Sequence, residues 1–83
     1  MNNLLLITGP QGSGKTKLVR LMRNAKEIEA NGIANGIILR EIWHEKDFKE
    51  TIVVTATSAN YILRRTLENC ANELKCSYTH IQL

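Results

Sequence analysis

Proline occurs once in the 83 residues, as Pro10, and cysteine twice, as Cys70 and Cys76. Two cysteines are too few for a disulfide scaffold. Both fall near the end of a predicted helix, and we expect reduced core thiols rather than a disulfide or a metal pair. Aromatic residues are limited to Trp43, Phe48, Tyr61 and Tyr78, with no pattern for stacking bases. No apolar stretch approaches the length of a membrane span. The first apolar run is too short for a secretion signal and has no basic residues ahead of it. There is no repeat, low-complexity segment or linker. These absences lead us to expect one small domain over residues 1–83, with no membrane association and a cytoplasmic location. A chain of this size buries only a little over ~60% of its unfolded surface. Neither sign of charge dominates: eleven Lys and Arg against eight Asp and Glu give a net +3. That suits a polyanionic ligand without demanding nucleic acid. Lys15, Lys17, Arg20, Arg23 and Lys26 crowd one segment, read as a solvated helix face in preference to a nucleic-acid stripe.

Glycine is scarce as well, with five residues, yet three of them fall within six positions. Residues 9–16 read Gly9-Pro10-Gln11-Gly12-Ser13-Gly14-Lys15-Thr16, which satisfies G-x-x-x-x-G-K-[ST]. Gly9, Gly12 and Gly14 allow backbone dihedrals closed to other residues and a close approach to a polyphosphate. Backbone N–H groups from about Gln11 to Thr16 would cradle the anion. Lys15 would reach the β- and γ-phosphates, and the Thr16 hydroxyl would ligate Mg²⁺. The loop follows a short apolar run, Leu4-Leu5-Leu6-Ile7-Thr8, and precedes an amphipathic segment. A helix starting near Lys15 would add its positive dipole end.

Along the rest of the chain, Leu18, Leu21, Met22, Ala25 and Ile28 recur at helical spacing and predict a helix over about 15–29. Asn31-Gly32 and Asn35-Gly36 are stop and turn signals. Ile37-Ile38-Leu39 opens either a short strand running to Ile42 or a second helix. Trp43 to Lys49 reads as a helical turn or loop. Thr51-Ile52-Val53-Val54-Thr55-Ala56 predicts a central parallel strand covered on both faces. Thr57 or Ser58 is expected to cap a helix over about 58–75. Its apolar stripe is Ala59, Ile62, Leu63, Leu67, Cys70, Ala71 and Leu74, with Arg64, Arg65, Glu68, Asn72 and Glu73 facing water. Tyr78 to Leu83 reads as a last strand near an edge. Alternating elements of this kind predict an α/β fold in three α/β/α layers, with a mainly parallel sheet of three or four strands. Right-handed crossovers then put the loop at the carboxyl end of the first strand, where ligands bind in such sheets.

Through residues 9–16 and their strand–loop–helix setting, Leu4 to Met22 resembles the P-loop NTPase superfamily. Residues 51–83 look, more weakly, like the later part of an AAA-type core. The first resemblance implies binding of ATP or another NTP with Mg²⁺. The second implies that Thr55 or Thr57 senses the γ-phosphate. It also implies that Arg64 or Arg65 reaches a neighbour's active site, although two arginines on a solvated helix face is the reading we prefer.

What the family pattern requires and the chain lacks is an apolar strand ending in Asp or Asp-Glu, whose carboxylate organises Mg²⁺. The nearest copy is Ile37-Ile38-Leu39-Arg40-Glu41, with Arg where Asp belongs. Glu41 is the candidate replacement acid, against a plain surface residue beside Trp43. His44, Glu45 and Asp47 are polar neighbours without metal-site spacing. No Asn-Lys-x-Asp guanine motif is present, which favours ATP. The leading expectation is a nucleotide-binding ATPase core with weak or partner-dependent hydrolysis. A non-catalytic nucleotide-binding or regulatory module ranks second. A small-molecule kinase ranks third, because no segment remains for an acceptor site and lid. A sheet with few helices to cover it also predicts a homo-oligomer or a complex with a larger protein.

Overall fold

The apolar run near the start forms strand β1 (Asn3–Thr8), and every later strand is ordered by reference to it. The computed structural model describes residues 3–30, 35–45 and 50–83. After β1 come α1 (Lys15–Arg20), β2 (Ala25–Glu29), α2 (Asn35–His44), β3 (Thr51–Ala56), α3 (Tyr61–Leu74) and β4 (Ser77–Gln82). The four strands make one sheet in the order β2-β3-β1-β4, with every pairing parallel. Leu5 lies opposite Val53 on one side and Thr79 on the other. The protein is therefore an α/β chain with a four-stranded parallel sheet and three helices among the described residues.

The alternation of side chains along each strand divides the core in two. Leu4, Leu6, Ile52, Val54 and Ile28 point to the face that carries α2 and α3, where Ile38, Ile42, Leu63 and Leu67 meet them. Ile7 and Val53 point to the opposite face, which α1 covers through Val19. Ile52, Val53 and Val54 are all fully buried, as a central strand with both faces covered requires. β4 lies at one edge, where its residues are exposed or only half-buried.

The predicted helix over 15–29 is not formed. α1 ends at Arg20, closed by the Leu21 amide donating to the Leu18 carbonyl at 3.1 Å and the Met22 amide donating to the Val19 carbonyl at 3.0 Å. Asn24 then takes a left-handed backbone (φ 56°), a conformation asparagine tolerates better than most residues. The chain reverses there and continues as β2, which pairs with β3 from Ala25↔Thr51 to Glu29↔Thr55. The physical reason is that the segment carries two periods at once. Glu27-Ile28-Glu29-Ala30 alternates, and the sheet rewards that alternation with a ladder and a buried Ile28. Leu21, counted in the helical stripe, is 79% exposed. The sheet is thus wider by one strand than the helical reading of this segment allows.

Residues 35–44 take the helical alternative, and Ile38 and Ile42, four apart, are buried. The expected loop beyond it falls largely at 46–49, outside the described residues. The cap of α3 is Asn60 rather than Thr57 or Ser58. Its side chain accepts from the Leu63 amide at 2.7 Å. The buried stripe of α3 is also narrower than its apolar residues, since Ile62 is 61% exposed. Lys75 ends the helix in a left-handed conformation and turns the chain into β4. Both cysteines are free, Cys70 buried and Cys76 half-buried. No helix among the described residues is long and apolar enough to cross a membrane.

Candidate functional site

Loop 9–16 leaves the carboxyl end of β1 and is shaped by its own backbone contacts. The Gly9 amide donates to the Ala56 carbonyl at 3.2 Å, which ties the loop to the end of β3. The Ser13 amide donates to the Pro10 carbonyl at 3.1 Å and closes a turn. Gly14 stands just ahead of α1 with φ 95°, a conformation a side chain would strain. Gly9 is needed for space. A Cβ there would lie 2.7 Å from Ser13 Oγ and 3.2 Å from the Leu83 carbonyl. Among the described residues the amides of Gly12 and Gly14 meet no protein acceptor. They are available to an anion, as are those of the first turn of α1, which a helix leaves unpaired.

The Lys15 ammonium turns back over the loop, donating to the carbonyls of Gly9 at 2.7 Å and Pro10 at 3.0 Å. Thr16 points the other way. Its hydroxyl donates to Glu27 Oε2 at 3.0 Å, and the Thr55 hydroxyl donates to the same oxygen at 2.9 Å. One carboxylate oxygen on β2 thus gathers the last residue of the loop and a buried threonine on β3. Strand alternation explains the meeting: Glu27 and Thr55 belong to the face that carries α1.

Around this point opens a cleft of about 600 Å³, lined by Gln11, Gly12, Gly14, Lys15, Thr16 and Lys17 from the loop and α1, and by Glu29, Thr55 and Thr57 from β2 and β3. Five of the eight loop residues therefore face one cavity. Gly9 and Pro10 hold Lys15 and line a different cavity, while Ser13 Oγ is buried beneath the loop without a hydrogen-bond partner.

Glu41 is placed elsewhere. It is exposed on α2 and lines an adjoining depression of about 500 Å³ at the outer edge of β2, together with Lys26, Glu27, Glu29 and His44. Glu45 pairs with Lys26 at 2.9 Å. Asp47 lies outside the described residues. No group of three metal-ligating side chains occurs among the described residues. Glu27 and Glu29 are the carboxylates that sequence reasoning missed. Two signals pointed to them: the polar–apolar alternation of residues 27–30, and Asn24 ahead of it as a breaker.

Compared with protein families, with curated proteins and with solved structures, the chain matches none.

Proposed function

We propose that the chain binds a nucleoside triphosphate with Mg²⁺ in the cleft over loop 9–16, as a P-loop NTPase core of three α/β/α layers, and hydrolyses it weakly or with a partner's help. The observation that carries this reading is the convergence of the Thr16 and Thr55 hydroxyls on Glu27. The carboxylate that the linear motif lacks is supplied from β2, two strands away from the loop in the sheet.

The groups present fit both ligands. The free amides of Gly12 and Gly14 and the Lys15 ammonium suit phosphate oxygens. The Thr16 hydroxyl and the Glu27 carboxylate are hard oxygen donors of the kind Mg²⁺ takes. When bound, the metal neutralises charge that develops on the phosphates. The chain's own residues supply the rest. Lys15 exchanges the Gly9 and Pro10 carbonyls for phosphate oxygens. Thr55 holds the Glu27 side chain in place. Glu29, which lines the same cleft, is the carboxylate available to take a proton from water. Among the described residues no arginine lines the cleft, and an arginine from a partner would stabilise transferring charge and speed turnover.

Calorimetric titration with ATP, GTP and ADP, with and without Mg²⁺, alongside steady-state phosphate release, tests the reading. Binding of ATP that Mg²⁺ tightens is expected, with release that rises with protein concentration. Absence of binding to any of the three refutes it. Binding without release at any concentration leaves a nucleotide-binding module and refutes hydrolysis by this chain alone.

A further inference from the structure

A second cavity opens at the carboxyl end of the sheet, on the face that α3 covers. It measures about 340 Å³. We propose that it is a second ligand site, adjoining the cleft at Thr57, for a small anion carrying a phosphate or carboxylate group. This does not rest on nucleotide binding at the loop.

The cavity is built by four segments. β1 and the start of the loop give Thr8, Gly9 and Pro10. The segment after β3 gives Thr57, Ser58 and Ala59. α3 gives Arg64, and the end of the chain gives His80, Gln82 and Leu83. Thr8 and His80 point to the α3 face by the same alternation that puts Leu4, Leu6 and Tyr78 there. At the cavity wall Thr8 Oγ1 and His80 Nε2 are 2.8 Å apart, and Thr8 is 3% exposed. This hydrogen bond anchors the imidazole to the buried Thr8 of β1 and leaves Nδ1 outside that contact.

The charge of the lining selects the ligand. None of its side chains is a carboxylate, whereas Arg64 brings a guanidinium. Among the described residues that guanidinium has no hydrogen bond or ion pair, so its donors are uncommitted. A guanidinium fork matches the two oxygens of a carboxylate or phosphate. The hydroxyls of Thr57 and Ser58, the Gln82 amide and the His80 ring add further donors around the same space. The guanidinium together with these donors suits an anion. The volume lies at the small end of the range for small-molecule pockets.

Titration of the isotopically labelled protein with glycerol 2-phosphate, and separately with succinate, tests the site by nuclear magnetic resonance. Saturable shifts are expected at the Arg64 side-chain Nε–H, the His80 ring and the Ser58 amide. Response to the phosphate ester alone assigns a phosphorylated ligand, and response to succinate alone assigns a carboxylate; either supports the site. Arg64→Gln is expected to weaken the effective anion by at least about tenfold. Arg64 is exposed on α3, so the variant keeps the fold, and His80→Gln gives an independent second probe. The proposal is overturned if neither anion shifts these groups by about 10 mM. It is equally overturned if Arg64→Gln and His80→Gln bind as wild type does, or if the shifts appear only at the Gly12 and Gly14 amides.

Discussion

Replacing Glu27 by Gln removes one negative charge and keeps the shape of the side chain. In the native protein Glu27 Oε2 accepts two hydroxyl donors, from Thr16 at 3.0 Å and Thr55 at 2.9 Å. A hydrogen bond to a charged group contributes about 1.5–3 kcal/mol, and a neutral one about 0.5–1.5 kcal/mol. The amide oxygen of Gln still accepts, so we expect the fold to lose about 1–2 kcal/mol and to remain cooperative. The effect on nucleotide should have opposite signs with and without metal. Without Mg²⁺, the Glu27 carboxylate repels the triphosphate from beside Thr16, and its removal should leave ATP affinity unchanged or raise it. With Mg²⁺, the carboxylate is an oxygen donor to the metal, and its loss should weaken ATP by at least about tenfold, or 1.4 kcal/mol. Calorimetry on both proteins, with Mg²⁺ and with a chelator, measures the two arms. Glu41→Gln is the control, because Glu41 is exposed on α2 and it is Glu27 that accepts from Thr16 and Thr55. If Mg²⁺ tightens ATP equally in wild type and Glu27→Gln, the metal is organised elsewhere and the role given to β2 is wrong.

Lys15→Ala should abolish measurable ATP binding and leave the thermal midpoint nearly unchanged, since the ammonium serves only two loop carbonyls in the native protein; equal ATP affinity in the two proteins would defeat the assignment. Leu67→Ala removes a fully buried side chain from the α3 face and should cost about 2–5 kcal/mol, read from the denaturant midpoint. Burial, helped by the nearby Glu73 carboxylate, pushes the Cys70 thiol from 9.0 up to about 11. The folded state therefore holds this proton more tightly than the unfolded chain. The stability it contributes is whole below pH 9.0 and is lost as pH rises towards about 11. The matching readout is alkylation: at mildly alkaline pH Cys70 should react at least about tenfold more slowly in the native protein than in denaturant, and equal rates would contradict its burial. The bare edge of β4 and exposed Leu21, Tyr61 and Ile62 lead us to expect self-association. Sedimentation equilibrium across micromolar concentrations should show species heavier than 9.4 kDa, and a single species of that mass throughout would refute it.

Much of the architecture is legible along the chain. The run 51–56 is β-branched up to Thr55, too short and too stiff at χ1 to favour a helix, and it forms the central strand with both faces buried. The stripe of Leu63, Leu67, Cys70 and Ala71 marks α3 by its spacing alone. The loop motif is local by nature, since its glycines, lysine and threonine act within eight consecutive residues. Each of these signals is carried by neighbours in sequence, and neighbours in sequence are what periodicity can read.

Residues 25–30 are different. Their apolar positions fit a helix continued from α1 and a strand equally well, so local preference does not choose between them. The choice is made by β3. Its free edge offers a ladder from Ala25 to Glu29, and its Val54 gives Ile28 a buried neighbour in register. Once that pairing forms, alternation turns Glu27 toward Thr55 and Thr16, residues 28 and 11 positions away. A helix through the same residues would have left the loop without a carboxylate and drawn attention to Glu41. The chain alone thus determined the loop, the central strand and the long helix. Which acid stands beside Thr16 was decided only when the strands took their order, because that acid reaches the loop across the sheet and not along the chain.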